Sequence, residues 1–232
     1  MGSHGGLAVL DNTSIRSSVL TLNDELCDIF LAASHIVRFP KGRMVIGEGI
    51  EPGSVFLVVD GTVQVSLTTQ SGRATIIRDI GKGQIFGELS AIDGMTRSAD
   101  VHTVNACELA VMTATRFTDL ISSSAPLAVW LSQHLTRQIR FLTSRIFELS
   151  NMSVASRLIC ELVRLSFDAG IEGDRAVINH APTHAELGAR VGTNRESVTR
   201  EMSYLAGKGI VSQYRRQLTV NAVSALLEEI RW

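Results

Sequence analysis

The sequence predicts an α+β protein with three consecutive parts: an N-terminal β-jelly-roll, a long helix and a C-terminal winged helix-turn-helix. The first observation is a series of short alternating apolar runs in residues 36–112, separated by turn residues. The second is a long amphipathic pattern after Pro126, and the third is a pair of short capped helices followed by a hairpin in residues 183–220. The chain has 232 residues, 45% of them hydrophobic, which is ample for two packed cores.

Four apolar runs in the N-terminal half are typical of strands, at residues 55–59, 63–67, 75–80 and 109–112. Turn signals such as Asp60-Gly61 and Ser71-Gly72 divide them. The Asp60-Gly61 pair predicts a hairpin between the first two runs, because it accepts the positive φ that a type I′ turn needs. Many short strands with closely spaced turns favour a sandwich or a jelly-roll barrel.

The segment after Pro126 predicts one long helix whose apolar residues recur at spacings of four and three. This spacing produces a narrow apolar seam, as in helices that pair with one another. A helix that packs on its own barrel needs the same seam, so the pattern leaves dimerisation and internal packing both open. The seam consists of Leu135, Ile139, Leu142, Ile146 and Leu149.

The segment THAELGARVGTNRESVTREMSY predicts two short helices joined by a tight turn. Each helix is expected to begin with a capping box, Thr183 with Glu186 in the first helix. The second capping box is expected to be Thr193 with Glu196, and Gly192 lies between the helices, where positive φ is least costly. This arrangement is a helix-turn-helix, whose second helix enters the major groove of DNA.

The small residues Gly188 and Ala189 on the first helix are expected to let the second helix approach it closely. Side chains four apart on the second helix share one face, which places Glu196 beside Arg200. This face predicts DNA reading, although the same two residues are also placed for an ordinary surface ion pair. The predicted DNA-binding residues are Thr193, Asn194, Arg195, Glu196, Ser197, Thr199 and Arg200.

The net charge of −1 excludes a globally basic nucleic-acid-binding protein, but basic residues are concentrated in residues 190–216. A local basic face is sufficient for phosphate contacts. The three cysteines are far apart, which excludes a disulfide framework and a four-cysteine metal cluster and fits reduced thiols. The sequence has no apolar run of about 18 residues and no signal-peptide pattern, so it predicts a cytoplasmic protein with no membrane partner.

The segment FGELSAIDGMTRSADV places several donors and an acceptor within one stretch of chain. Gly87 to Ser90 are expected to open a short helix, whose first N–H groups bind anions. Arg97 and Ser98 supply a guanidinium fork and a hydroxyl, which suit a phosphate, whereas the Glu88 carboxylate suits a ribose hydroxyl. Because this segment offers one cation, the expected ligand is a nucleotide of low negative charge. The alternative is that Glu88 and Arg97 pair with each other across a hairpin.

This segment resembles the phosphate-binding cassette of cyclic-nucleotide-binding domains. Together with the winged helix-turn-helix carrying RESVTR, it makes the chain similar to the CRP/FNR family of regulators from about residue 36 to residue 220. The resemblance implies cyclic AMP or cyclic GMP as an allosteric ligand, with no cofactor, no metal and no catalytic residue. The ligand-binding residues that it implies in this segment are Gly87, Glu88, Leu89, Ser90, Arg97 and Ser98.

For the second helix of the helix-turn-helix, the resemblance implies that Arg195, Glu196 and Arg200 read bases. Arginine suits guanine O6 and N7, and glutamate suits the N4 donor of cytosine, which agrees with that assignment. The implied target is duplex DNA with a TGTGA-like inverted repeat, bound by a twofold homodimer. RNA polymerase is a further candidate partner.

The family contacts the purine base through a Thr-Ser pair on the long helix, one residue from each subunit. Alignment from Arg157, which matches an arginine early in the next helix, places this pair on Leu142 and Thr143. A shift of one residue places it on Thr143 and Ser144 instead. The first alignment removes a hydroxyl from the base pocket, so cyclic AMP and cyclic GMP both stay open.

The predicted organisation has four segments, of which the last three make up the folded protein. They are residues 1–12 (disordered or left over from cloning), 13–125 (cyclic-nucleotide-binding barrel), 126–150 (dimerisation helix) and 151–232 (winged helix-turn-helix). One alternative function is a regulator of the same family whose barrel is ligand-independent or differently liganded. Another is a metal-dependent barrel enzyme, which the sequence disfavours because His35 and His102 are solitary in the barrel.

Overall fold

The computed structural model describes residues 20–230. Contacts within the chain divide this part into two compact units, residues 20–137 and residues 138–230. The segment expected to be disordered or residual, residues 1–12, lies outside the described residues, as does the beginning of the barrel domain expected from residue 13. Within the described part, no helix is long and apolar enough to cross a membrane.

The first unit is the predicted β-jelly-roll, built from eight strands in two sheets. The strands are β1 (His35–Phe39), β2 (Met44–Ile46), β3 (Val55–Asp60), β4 (Val63–Thr68), β5 (Ala74–Ile80), β6 (Ile85–Phe86), β7 (Asp100–Thr103) and β8 (Cys107–Met112). The helices are α1 (Asp24–Ala32), α2 (Glu88–Asp93) and α3 (Ala114–Ser123), and α4 (Ala125–Asn151) begins here. The sheet orders are β1-β8-β3-β6 and β2-β7-β4-β5. Residues from both sheets, including Val63, Phe86 and Leu109, form one apolar core.

The predicted hairpin at Asp60-Gly61 is wrong, because the strands on either side of this turn belong to different sheets. Strand β3 pairs with β6 and β8, whereas β4 pairs with β5 and β7. Gly61 has a φ of 90°, as a glycine turn allows, but a Cβ on it would lie 2.5 Å from the Ala106 carbonyl oxygen. The Thr62 N–H also donates to Asn105 Oδ1 over 2.8 Å. The turn therefore packs on the loop before β8 and carries the chain from one sheet to the other.

Helix α4 is continuous over 27 residues, beginning in the first unit and ending in the second. Most of its predicted apolar seam is exposed. Ile139 and Ile146 are each 65% exposed, Leu142 is 46% exposed and Leu149 is 49% exposed. Large exposed apolar side chains that form a continuous row usually mark an interaction surface. Of the two interpretations of the seam, this exposure favours pairing with a second helix.

The second unit is the predicted winged helix-turn-helix. After the end of α4, its elements are α5 (Val154–Ala169), β9 (Ile171–Glu172), β10 (Arg175–Asn179), α6 (His184–Val191), α7 (Arg195–Gly207), β11 (Val211–Tyr214), β12 (Gln217–Val220) and α8 (Val223–Glu228). The four strands form one sheet in the order β11-β12-β10-β9, so the predicted wing is the β11–β12 hairpin. The sequence does not predict β9, because two residues are too few to show an alternating pattern.

Candidate functional site

Arg97 is the centre of the polar cluster that the sequence predicts for a phosphate. Its Nη1 donates to the Gly87 carbonyl oxygen over 2.8 Å and to Ser90 Oγ over 2.7 Å. Its Nη2 donates over 2.7 Å to the carbonyl oxygen of Ser54, which lies in the loop before β3. Burial lowers the pKa of Arg97, and the nearby Glu88 carboxylate opposes this shift. Arg97 is 7% exposed, and its guanidinium is held in place by the start of α2 and by the loop before β3.

Gly87 must be a glycine for two independent reasons. It is the N-cap of α2 and has a φ of 81°, a left-handed conformation that residues with a Cβ rarely adopt. A Cβ on it would also lie 2.9 Å from Arg97 Nη1 and 3.0 Å from the Ser54 carbonyl oxygen. The glycine thus allows the backbone to approach the guanidinium that is expected to hold the phosphate.

Glu88 is 2% exposed and has a neighbour that the sequence does not predict. His134 on α4 places Nε2 at 3.8 Å from Glu88 Oε1. The His134 ring is fully buried and stacks on Trp130, with ring centroids 5.0 Å apart and an interplanar angle of 16°. No motif marks this histidine, because it reaches the carboxylate from a helix distant in sequence.

A second cation, Arg78 on β5, also belongs to the surroundings of Glu88. Burial lowers the pKa of Arg78, and the Glu88 carboxylate opposes this shift as it does at Arg97. The predicted segment supplies one cation, and the tertiary structure adds this other one. The only available signal in the sequence is an arginine inside the apolar strand pattern ATIIRDI.

The remaining predicted ligand residues differ in exposure. Leu89 is 40% exposed, and Ser98 is also exposed. Leu142, Thr143 and Ser144 lie on the part of α4 that belongs to the second unit, and Ser144 is 6% exposed. Both α4 hydroxyls donate to carbonyl oxygens one turn earlier in the helix, and only that of Thr143 is on an exposed face. Among residues 20–230, no group of three or more His, Cys, Asp or Glu side chains is placed to hold a metal ion.

The turn of the helix-turn-helix has the geometry that its glycines predict. Thr183 and Glu186 form the expected capping box at the start of α6, and Gly192 ends this helix with a φ of 70°. At Gly188 a Cβ would lie 2.9 Å from the Thr193 carbonyl oxygen. The absence of a side chain at Gly188 therefore allows the backbone of the turn to pack directly on α6.

The second predicted capping box, Thr193 with Glu196, is wrong. The N-cap of α7 is Asn194, whose Oδ1 accepts a hydrogen bond from the Ser197 N–H over 2.8 Å. The Thr193 N–H instead donates to the Gly188 carbonyl oxygen over 2.9 Å and closes the end of α6. The tight turn thus moves the start of α7 by one residue and leaves the Glu196 carboxylate exposed.

The outer face of α7 carries the residues predicted to read bases. Thr199 Oγ1 donates to the Arg195 carbonyl oxygen over 2.9 Å and lies 2.8 Å from His184 Nδ1 on α6. Arg200 Nε lies 3.3 Å from a carboxylate oxygen of its neighbour Glu201, rather than pairing with the carboxylate four residues earlier. The exposed residues of this face are Arg195, Glu196, Thr199 and Arg200.

A buried cluster of charged side chains joins α6 to α5 and to the end of α4. Arg164 donates to both carboxylate oxygens of Glu148, over 2.7 and 2.8 Å, and to Glu161 over 3.1 Å. Arg145 donates to the same two carboxylates and to the carbonyl oxygen of Arg190. The Arg190 guanidinium donates to Glu161 over 3.4 Å. Sequence patterns do not reveal this cluster, which supports the helix that in turn supports α7.

We expect Gly188→Ala to destabilise the second unit by about 1–3 kcal/mol, the usual cost of forcing an extra carbon into a packed site. The matched control is Gly207→Ala at the end of α7, because a Cβ there has nothing within 4 Å. That change is expected to stabilise the unit by about 0.4–1 kcal/mol. Thermal unfolding of the two variants checks the pair, and a shift in the same direction for both would contradict the proposed backbone contact.

Comparison with known proteins gives the same two parts in the same order. Residues 36–124 match the cyclic nucleotide-binding domain family, and residues 156–229 match the Crp-like helix-turn-helix domain family. The cAMP-activated global transcriptional regulator CRP of Haemophilus influenzae is 27% identical over 201 residues, which are 86% of this chain and 90% of that protein.

Two solved structures share the architecture. The c-di-GMP responsive global regulator CLP of Xanthomonas campestris is 25% identical with a TM-score of 0.71, covering 85% of this chain and 99% of that one. A CRP/FNR-family transcriptional regulator of Thermus thermophilus is 27% identical with a TM-score of 0.66, covering 84% of this chain and 97% of that one. The predicted fold is therefore confirmed.

Proposed function

Because the chain belongs to the CRP/FNR family of DNA-binding transcription regulators, which are not enzymes, we propose that it is a cyclic-nucleotide-dependent regulator. It binds cyclic AMP or cyclic GMP in the jelly-roll and an inverted-repeat DNA site as a homodimer. It acts in the cytoplasm, where bacterial DNA and the candidate partner RNA polymerase are found.

The observation that carries the proposal is the hydrogen-bond inventory of Arg97. A guanidinium has five N–H donors, and bonds to Gly87, Ser90 and Ser54 use three of them. Five minus three leaves two donors for a ligand, enough for a bidentate contact with one phosphate. The exposed Ser98 hydroxyl follows directly in the chain, and the buried Glu88 carboxylate supplies the acceptor for a ribose hydroxyl. This set suits one phosphodiester attached to a sugar.

DNA reading is supported by the exposed face of α7. Its arginines are suited to guanine O6 and N7, and the Glu196 carboxylate to the cytosine N4 donor, as in a TGTGA-like half-site. In a twofold dimer, two such helices about one duplex turn apart, ~34 Å, read successive half-sites on one side of the DNA. The proposed switch is an arrangement of the dimer helix that binds the nucleotide more tightly and also presents the helices at this spacing.

The homodimer is proposed to form along the exposed seam of α4. We expect Ile146→Asp to convert the protein to monomers, because burying an unpaired carboxylate in an apolar helix pair is strongly unfavourable. Sedimentation velocity measures the change as a fall from twice the chain mass to the chain mass. Val129→Asp is the control, since Val129 is a 58% exposed apolar residue on another side of the same helix. A persistent dimer in Ile146→Asp would contradict an interface along the seam.

The proposed function is tested by calorimetric titration of the protein with cyclic AMP, cyclic GMP and cyclic di-GMP. Each titration is repeated with a duplex that contains two inverted TGTGA half-sites, and with a scrambled duplex as control. A nucleotide that activates is expected to bind roughly 5–150-fold more tightly with the specific duplex, from a coupling of about 1–3 kcal/mol. Heat with cyclic di-GMP alone would favour the differently liganded alternative. No heat with any nucleotide, while the duplex still binds, would mean a ligand-independent regulator.

A further inference from the structure

Arg78 lies on the inner face of the barrel, beside residues of the apolar core. In the β4–β5 pair, Ile80 is opposite Val63 and Arg78 is opposite Val65. Directly opposite residues of an antiparallel pair share one face of the sheet, and alternation places positions 78 and 80 on the same face. Ile80 and Val63 are fully buried, so Arg78 projects to the interior side of the sheet. A register irregularity follows immediately in this strand pair, and such irregularities redirect side chains.

The position of Arg78 is electrostatically costly for the barrel alone. Burial lowers its pKa, and the Glu88 carboxylate opposes that shift. The same carboxylate opposes the lowering of the Arg97 pKa by burial. Arg78 comes from β5 and Arg97 from the loop after α2, so two different elements each supply a guanidinium that interacts with one acid. An aliphatic residue on this strand would avoid the cost, which points to a ligand as the reason for the second arginine.

On the basis of the proposed function, we propose that Arg78 determines base specificity and favours guanine over adenine. A cyclic nucleotide with its phosphate at Arg97 and its ribose at Glu88 extends its base away from Arg97. The second guanidinium, on the interior strand face beside Glu88, is the charged group available to that base.

The preference follows from the pattern of donors and acceptors on the two purines. A guanidinium has donors and no acceptor. Guanine offers two acceptors, O6 and N7, to such a fork, whereas adenine offers N7 beside the N6 amino donor. Arg78 therefore makes two hydrogen bonds with guanine, but with adenine one of its N–H groups faces another donor. If Arg78 only neutralised Glu88, it would not discriminate between guanine and adenine.

The first test uses the unsubstituted protein and nucleotides whose bases differ by one functional group at a time. Calorimetry is expected to show similar affinities for cyclic GMP and cyclic IMP, and a weaker affinity for cyclic AMP. The expected difference is roughly 5–150-fold, the discrimination of one good bidentate contact. Cyclic IMP keeps O6 and N7 but lacks the guanine amino group, so it isolates the proposed contact. Replacing N7 by carbon in 7-deaza-cyclic GMP is expected to remove most of the advantage. Preference for cyclic AMP would overturn the inference.

The second test exchanges the side chain. Arg78→Gln is expected to reverse the preference, because an amide can donate to adenine N7 and accept from N6. Arg78→Lys keeps the charge without the fork and is expected to lose the cyclic GMP advantage. The control is Arg73→Gln, since Arg73 is an exposed arginine just before β5, and it is expected to leave the ranking unchanged.

The outcomes separate this inference from the proposed function on which it rests. Binding of all three nucleotides with equal changes in Arg78→Gln would overturn the inference alone, because Arg78 would then act only through Glu88. No heat with any nucleotide in the unsubstituted protein would overturn both. If Arg78→Gln fails to fold, as thermal unfolding would reveal, the comparison of cyclic GMP with 7-deaza-cyclic GMP still decides the inference.

Discussion

Replacing Arg164 with alanine is expected to lower the free energy of unfolding of the second unit by about 3–5 kcal/mol, the cost of breaking a buried ion pair by removing one partner. Arg164 is 7% exposed, and its partners Glu148 and Glu161 are 0% and 6% exposed. Without it, two buried carboxylates share the remaining cations, Arg145 and Arg190. The desolvation of the carboxylates is then no longer offset by hydrogen bonds at both oxygens of Glu148.

Native-state hydrogen exchange of the α5 amides measures this loss in the second unit itself. That choice matters because a chain with two compact units does not have to unfold in one step. Arg175→Ala is the matched control, since Arg175 is an exposed arginine of the same unit, and a change within about 0.5 kcal/mol is expected there. If Arg164→Ala changed the exchange no more than Arg175→Ala, the cluster would not stabilise the unit.

The same cluster predicts that the second unit loses stability in acid. Burial alone would raise the pKa of Glu161, but the three arginines around it lower that pKa from 4.5 to about 2. Because the folded-state pKa is below the unfolded-state value, Glu161 contributes its full stability above about pH 4.5 and loses it as the pH falls towards 2. Exchange of the α5 amides is expected to accelerate across this window, and more weakly in Glu161→Gln, which has no titrating group at this position.

Arg97→Lys is expected to weaken cyclic-nucleotide binding by roughly 30- to 5,000-fold, equivalent to about 2–5 kcal/mol for truncating one partner of a buried, hydrogen-bonded charge pair. Lysine retains the charge but replaces the planar fork with a single ammonium. It cannot donate at once to the Gly87 and Ser54 carbonyl oxygens and still present a bidentate face to a phosphate. Affinity rather than stability is therefore expected to carry most of the effect.

Calorimetry with the better of the two cyclic nucleotides measures the change, and thermal unfolding shows whether the barrel is intact. Ser98→Ala is informative beside it, because Ser98 is exposed and its loss is expected to cost roughly 2- to 10-fold, one neutral hydrogen bond. Arg73→Lys is the matched surface control. Affinity in Arg97→Lys equal to that in Arg73→Lys would remove Arg97 from the proposed phosphate site.

Local features of this chain are predictable from its sequence because they depend on residues within about four positions of each other. The Thr183 capping box, the left-handed Gly192 and the close approach at Gly188 all agree with the structure. The second predicted capping box is wrong because of a hydrogen bond between residues five positions apart, Thr193 and Gly188. The Thr193 N–H closes the preceding helix, so the cap moves to Asn194.

Strand pairing is where local reasoning fails. Asp60-Gly61 has the composition and the positive φ of a hairpin turn, yet β3 and β4 lie in different sheets. Strand β3 instead pairs with β6 and β8, which come later in the chain, because pairing is decided by which apolar faces bury one another. A two-residue signal cannot carry that information.

The sequence by itself determined the order of jelly-roll, long helix and winged helix-turn-helix, the family, and the position of the polar segment around Arg97. The order of the elements follows from periodicity, caps and glycine turns, whose energetics act over short stretches of chain, whereas the family follows from the resemblance of two motifs. Only the tertiary structure determined which side chains surround Glu88. Folding brings Arg78 from β5 and His134 from α4 to this one carboxylate. The tertiary structure also determined which arginines pair with Glu148 and Glu161 in the buried cluster beside α6. Charges gather in this way because a buried charge is stable only beside an opposite one, and folding brings the opposite charge from wherever in the chain it lies.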